Sequence, residues 1–383
     1  MGFRTNQTYR DMYNPLRGLN MSRIVAMEED ADRGNWSDVQ WFWHHMMQTD
    51  VTVASAVAKR LSHMNSLDWE IRNIETADEI LAADQADVLR YAYDRIENLA
   101  EAVTKIAFAN FTGFSILEKI RTGYGPLIQK LDYIPCWFWN YNRKAGRWLF
   151  NADAQPGHQR GEVADTTNLI IHQSEEILMK PIGRHFFAKA LALADWDVAL
   201  ENGANQSIFV IGPPGTTPEK ELEYQGLAEA ITSNLRGYLP YGSDIKLTDP
   251  AARSKMPYME RVKYSDEQIV MCATGGLLTM LTESGSGTLA GGAHSETLLG
   301  LARADAAKVS EVFQKQIDRE ILKAFFPEWP IAVYFRLDIP QPEESMQQVI
   351  EAASGLSWSG YRIDQAQLEE KLGLKLERMQ PEQ

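Results

Sequence analysis

Thr282-Glu283-Ser284-Gly285-Ser286-Gly287-Thr288-Leu289-Ala290-Gly291-Gly292-Ala293 is the loosest stretch of the chain, and it runs straight into the longest helical pattern, His294 to about Lys323. Small and polar residues without periodicity predict a flexible loop over 282–293. After it, Leu298, Ala302, Val309, Val312, Phe313, Ile317 and Ile321 recur at a spacing that places them on one side of an α-helix, with mixed charges opposite. At the rise of an α-helix this element spans on the order of 45 Å.

Working back from the loop, residues 265–281 read as a helix, and so do residues 181–203, opened by Pro181-Ile182-Gly183-Arg184. Between them, Ser207–Ile211 and Asp244–Leu247 are short strand patterns and 218–236 a helical one, so 204–264 is a small α/β insert flanked by two helices. Within it, Gly212-Pro213-Pro214-Gly215-Thr216-Thr217-Pro218-Glu219-Lys220 opens like a phosphate-binding loop. That chemistry needs G-x-x-x-x-G-K-[ST], and here Thr217 stands in the second glycine position and Pro218 in the lysine position. The stretch reads as a Pro/Gly turn.

Further out, 36–180 mixes helices and strands. Ser37 with Gln40 looks like a capping box for a helix through Trp41, Phe42, Trp43 and Met46. Asp50 caps the next, which puts Val53, Ala54, Val57, Ala58, Leu61 and Met64 on one stripe. Leu67, Trp69 and Ile71 alternate as in a half-buried strand, and Thr76 with Glu79 caps a helix to about Asn98. A helix through Val103, Ile106 and Ala107 ends near Gly113, and Phe114–Ile120 follows as a strand. Leu127 to Phe150 reads as a hairpin turning at Asn142-Arg143-Lys144-Ala145-Gly146, and Asn168–Ile171 as a strand. Residues 1–35 lack periodicity and read as an extended arm. Beyond the long helix come a strand, Ile331–Leu337, a helix, Glu343–Ser354, and a last helix from Asp364 to Gly373.

Composition narrows the function. With 44% hydrophobic and 23% charged residues the 383-residue chain can bury a real core. Its 52 acidic and 38 basic residues give a net charge of −14, which argues against gripping nucleic acid by neutralising phosphates, though DNA can pass such a surface without sticking. Cys136 and Cys272 lie far apart and suggest no disulfide framework. None of the histidines, His44, His45, His63, His158, His172, His185 and His294, has zinc spacing, and Glu283-Ser284-Gly285-Ser286-Gly287 is out of frame for a nucleophile elbow. No catalytic, cofactor or metal site is expected. No apolar run of about 18 residues suggests a membrane span, and the expected place of synthesis is the cytoplasm. Trp41-Phe42-Trp43 and Cys136-Trp137-Phe138-Trp139 lack the interleaved basic residues of a base-stacking platform, so core or subunit-interface packing is expected of them.

The order of elements resembles the portal proteins of tailed bacteriophages, in particular the Mu-like group. The residues that carry the likeness are Asp50-x-x-Val53, Lys59-Arg60, Trp69-x-Ile71, Gly113-Phe114-Ser115-x-x-Glu118, Pro181-x-Gly183-Arg184, Trp196, Glu201-Asn202-Gly203, the glycine-rich 284–292, Ala304-Asp305-Ala306 and Gln316-x-x-Asp318. The resemblance implies a mixed α+β, helix-rich portal fold with wing, stem, clip and crown, assembled into a ring, usually a dodecamer, at one capsid vertex of the virion. It places an N-terminal arm at 1–35 and the first part of the wing at 36–180. Stem helices at 181–203 and 265–281 flank a clip at 204–264. A tunnel loop at 282–293, the wing helix and strand at 294–340 and a crown at 341–383 complete the chain. Double-stranded DNA would pass the tunnel-loop residues Ser284, Gly285, Ser286, Gly287, Thr288, Leu289, Gly291 and Gly292 without sequence-specific binding. Arg184, Trp196 and Trp139 would lie in the stem or between subunits. The implied partners are the terminase large subunit, a head-tail adaptor, the major capsid protein and scaffolding protein, with no membrane. The rival readings are a nucleotide-binding enzyme using 212–220 and a scaffold or adaptor without a conduit.

Overall fold

The strand Phe114–Arg121 buries its first six residues in succession, which requires that both faces of its sheet be covered. The computed structural model describes residues 3–6, 13–66, 68–121, 123, 125–204, 208–211, 217–222, 244–247, 257–276 and 288–338, with 350, 353–355 and 357–359 beyond. The elements are α1 (Met21–Asp32), α2 (Ser37–Thr49), α3 (Val51–Ser62), β1 (Asp68–Asn73), α4 (Glu79–Asp94), α5 (Leu99–Ala107) and β2 (Phe114–Arg121). Then come β3 (Ile128–Tyr133), β4 (Trp139–Asn142), β5 (Arg147–Phe150), β6 (Glu162–Val163), β7 (Leu169–Gln173) and α6 (Met179–Ala204). The chain continues with β8 (Ile208–Ile211), β9 (Asp244–Leu247), α7 (Tyr258–Thr274), α8 (Thr288–Phe313), a π turn (Gln314–Asp318), α9 (Arg319–Phe325) and β10 (Val333–Asp338).

The central antiparallel sheet has the order β3-β2-β7, with Leu117 opposite Ile170 and Ile116 opposite Ile171. Alternation sends Leu117, Leu131 and Ile170 into one hydrophobic cluster, shared with α4, α5, α8 and the antiparallel β1–β10 ribbon. Phe114, Ile116 and Leu169 enter a second cluster with α1, α2, α3, the β4–β5 hairpin and the adjoining ends of α6 and α7.

Side-chain amides close strand edges that would otherwise present unpaired backbone groups. On the outer edge of β7, Gln316 accepts from Ile171 N at 2.8 Å and donates to Ile171 O at 2.7 Å. Asn98 does the same for Leu131 on β3, at 3.0 and 2.9 Å. Gln85, fully buried, accepts from Ala332 N and donates to Pro330 O, both at 2.8 Å, just ahead of β10.

The long helix buries every residue of its expected stripe, from Leu298 to Ile321, but it begins at Thr288 and carries a π turn. Thr288, Leu289, Gly291 and Gly292 are therefore helical, not loop: the glycines cost about 1 kcal/mol each in helix propensity, too little to stop a helix that propagates from a packed segment. Ser284, Gly285, Ser286 and Gly287 lie outside the described residues. The helix expected at 265–281 is instead α7, Tyr258–Thr274, because Gly275 adopts a left-handed φ of 72° and ends it. Residues 21–32 are helix, not extended arm: Asn20 caps the Arg23 N–H, and Ile24, Met27 and Ala31 are buried one turn apart.

The Ser37–Gln40 capping box is absent, since Gln40 donates to Thr112 O at 2.7 Å and the Ser37 hydroxyl points to Asn140. On α3 the buried stripe is Val53, Ala56, Val57 and Arg60 rather than the one containing Ala58. Asp78, not Thr76, caps α4. The hairpin is confined to β4 and β5, because Ile128–Tyr133 pairs with β2 instead. The helices expected at 343–354 and 364–373 fall largely or wholly outside the described residues.

Replacing Gln316 with Leu leaves the Ile171 N–H and C=O without partners. A loss of about 1–3 kcal/mol is expected in urea unfolding, and a smaller one for Gln316→Glu, which keeps an acceptor.

Candidate functional site

Helices α6 and α7 form an antiparallel hairpin rooted in the second core cluster. Met179, Ile182 and Phe186 of α6 and Ile269, Val270 and Ala273 of α7 supply the buried root. Gly183 permits close approach to α2, since a Cβ there would sit 3.1 Å from the Phe42 ring. Away from the root, Leu191, Leu193, Val198 and Leu200 of α6 are exposed, as are Met259 and Tyr264 of α7. Trp196 stacks on Tyr258, with centroids 6.5 Å apart and planes within 10° of parallel, and so closes the start of α7 onto α6. Asp195 and Asp197 are exposed on the same outer half of α6.

Charged groups fasten the root. Arg60 of α3, about 5% exposed, donates from Nε and Nη2 to both oxygens of Asp305 in α8 at 3.0 and 3.1 Å, and from Nη1 to Ala273 O at the end of α7 at 3.2 Å. Asn110 donates to Asp305 Oδ1 at 2.7 Å and accepts from Ser174 Oγ at 2.8 Å. One buried cluster thus joins the hairpin root, the long helix and the connection after β7. Lys189 of α6 bridges Asp50 at 2.9 Å and Asp266 at 2.6 Å. Burial pulls the Lys189 ammonium down, but its hydrogen bonds to Asp266 and Asp50 outweigh that and hold it above its ordinary value. Arg184 donates to the buried Glu28 of α1 at 2.6 Å, which raises its pKa, and Lys180 pairs with Asp32.

Of the residues expected at the stem or between subunits, Arg184 and Trp196 lie on α6. Trp139 does not: it is wholly buried within the chain, against Phe3, Trp148 and Phe150. Two hydrophobic clusters absorb the aromatic excess that suggested an interface. Trp41, Phe42, Trp43 and Phe138 are buried with it, so no base-stacking face forms there.

Sequence reasoning did not identify Arg60, Asn110, Lys189 and Asp305 as a junction. The available signal was a charge on an apolar stripe, Arg60 after Val53 and Val57, and Asp305 between Ala302 and Val309. Burial pushes the Cys136 thiol up to about 11 and the His172 imidazole down to about 4, leaving both uncharged at neutral pH. At the start of the sequence's phosphate-like stretch, residues 212–216 lie outside the described residues. Thr217 O accepts from Lys220 N at 2.9 Å as a helix begins.

Residues 40–374 match the family model described as the portal protein of Mu bacteriophage. A curated relative, the Mu-like prophage FluMu protein gp29 of Haemophilus influenzae, is 21% identical over 314 residues, which is 79% of this chain and 60% of the relative. The chain therefore spans about three fifths of that protein's length. Among solved structures, a chain in the neck of an empty gene transfer agent particle, computed with C6 symmetry, matches with a TM-score of 0.53 and 16% identity. The match covers 86% of this chain and 91% of that one. A chain of the native gene transfer agent virion matches with a TM-score of 0.51 and 14% identity over 92% and 93% of the two chains. These similarities show the fold.

Removing one partner of the buried ion pair strands the other. Asp305→Ala and Arg60→Ala are each expected to cost about 3–5 kcal/mol, and Arg60→Met with Asp305→Leu much less than their sum, in a double-mutant cycle read by denaturant unfolding. Trp139→Ala should lower the stability of the unassembled chain by about 3–5 kcal/mol in the same measurement.

Proposed function

The chain belongs to the portal protein family of Mu bacteriophage, and we propose from that membership that identical copies close into a ring, a dodecamer, which is the DNA conduit at one vertex of a phage capsid. The family match over residues 40–374 carries the reading. In it α6 and α7 are the stem, 205–257, between them, the clip that meets the terminase large subunit and later the head-tail adaptor, and 341–383 the crown. Residues 36–180 with the long helix and β10 form the wing, which meets the major capsid and scaffolding proteins. The segment joining α7 to α8, including Ser284 to Gly287, is the proposed DNA-facing element.

The physics supports this assignment. A closed ring repeats one heterologous interface, so each copy must offer two different surfaces. The exposed apolar residues on the outer part of α6 and those on α7 provide such a pair, and a monomer gains nothing by leaving them in water. The net charge of −14 suits a passage for a polyanion, because an acidic excess works against neutralising phosphates. A structural role needs no hydrolytic site in this chain, and nothing favours the nucleotide-enzyme or non-conduit reading.

Electron micrographs of the purified protein viewed down the assembly axis should show an annulus with an opening wide enough for a duplex; discrete particles without an axial hole would overturn the proposal. Leu191→Glu with Val198→Glu should abolish the ring and leave a sedimenting subunit with native circular dichroism. Undiminished rings from that variant would move the interface elsewhere.

A further inference from the structure

The long helix is bolted to the central sheet and to the β1–β10 ribbon around Gln314–Asp318, and there it loosens into a π turn. Such turns are rare and concentrate where function uses them. Four sets of bonds hold this one. The Gln316 amide is clamped on Ile171 of β7. Lys119 of β2 donates to Gln316 O at 2.8 Å and to Glu320 at 2.7 Å. Asp318 accepts from Tyr93 Oη of α4 at 2.6 Å through Oδ1 and from Phe335 N of β10 at 2.7 Å through Oδ2. Ser310 accepts from Leu337 N at 2.9 Å and Gln314 donates to Phe335 O at 2.9 Å, so Ser310, Gln314 and Asp318 together line the edge of β10. Eight residues of regular α-helix would swing Asp318 roughly 80° away from Ser310. The wider turn brings it back to the strand.

Asp318 is the chemically unusual member of this row. It is 2% exposed, and among the described residues it has no ion-pair partner. From α4 it is faced by the phenol of Tyr93, and from β10 by a backbone N–H; Arg336 and Asp338 alternate with the buried residues of β10. From β1 the neighbouring ring is Trp69, stacked on Phe335, while Asp68, Glu70 and Arg72 alternate onto the other face. On its own helix Lys315 pairs with Glu311 and Arg319 is exposed, and over β2 Lys119 and Arg121 are both taken by Glu320.

We propose that the π turn is a proton-linked latch between the long helix and strand β10, closed most firmly when Asp318 is protonated and loosened as it ionises. With the proton on Oδ1 the carboxyl donates to Tyr93 Oη instead of accepting, Oδ2 keeps the Phe335 N–H, and no charge is buried. Burial raises Asp318 from 3.8 to about 6, against the opposing hydrogen bonds from Tyr93 and Phe335 N–H. The closed state therefore binds the proton more tightly than the open one. Its protonated stability is complete below about 4 and is lost as pH rises through about 6. The latch belongs to the single chain and does not depend on ring closure.

Hydrogen exchange of the purified full chain, read by mass spectrometry on peptides covering 310–325 and 331–338 and corrected for intrinsic exchange, tests this. Opening should be about tenfold more frequent near pH 7.5 than near pH 5 in the unaltered protein. It should be independent of pH in Asp318→Asn, with peptides from α2 unchanged in both. A flat response in the unaltered protein, or a pH dependence that survives in Asp318→Asn or spreads over the whole chain, would overturn the latch. Tyr93→Phe, which removes a donor to the carboxylate, should move the pH midpoint upward; an unmoved midpoint would also refute it, even if Asp318→Asn does not fold.

Discussion

Arg60 and Asp305 meet as a two-pronged ion pair shut away from water, and the arrangement of the α6–α7 hairpin, the long helix and α3 depends on it. Burying two charges costs several kcal/mol of hydration, which their attraction barely repays, so the pair is a poor source of net stability. Its value lies in intolerance. Every donor and acceptor must find its partner, and those partners sit on α3, α7, α8, the short helix Ala109–Thr112 and the chain after β7. Hydrophobic side chains could slide by a fraction of a turn and stay buried; a guanidinium forked onto a carboxylate cannot. Lys189, held between Asp50 and Asp266, repeats the constraint a few turns further along α6.

Local pattern was enough for elements whose partners lie on one side. The buried face of the long helix, the helix beginning near Pro181 and the strands Ile208–Ile211 and Asp244–Leu247 stand where periodicity puts them. Periodicity failed where a few residues did the work. Helix α1 has only Ile24, Met27, Glu28 and Ala31 to bury, too few to stand out from a polar background. Gly275 ends α7 through its left-handed backbone, and an apolar pattern that continues past it misplaced the whole helix by seven residues. Strand Ile128–Tyr133 was assigned the wrong partner because pairing is a long-range choice that strand propensity does not encode.

The site was legible in a different sense. Asp50, Arg60, Glu118, Arg184, Asp305, Gln316 and Asp318 carried the resemblance, and each makes a polar contact to a residue far away in sequence. Their chemistry could not be inferred from spacing, since an arginine on an apolar stripe does not name its carboxylate. Trp139 shows the converse error. Aromatic excess suggested a surface awaiting a neighbour, but a sheet covered on both faces needs two cores, and the second consumes Trp36, Trp43, Phe138, Trp139 and Trp148 within one copy.

With those five aromatics spent inside and the central sheet closed by Gln316 and Asn98, copies have little to gain from pairing strands across the edges of β3 and β7. An incoming strand would have to displace an amide that already satisfies both a backbone N–H and a C=O, and would regain only what it removed. The outer half of the α6–α7 hairpin differs, because Leu191, Leu193, Val198, Leu200 and Met259 there are left exposed by the described residues. Association there releases water from apolar surface with no competing internal bond. The amide clamps and the exposed hairpin therefore act together: the first withholds the sheet from open-ended growth, and the second leaves helix against helix as the contact open to the proposed ring.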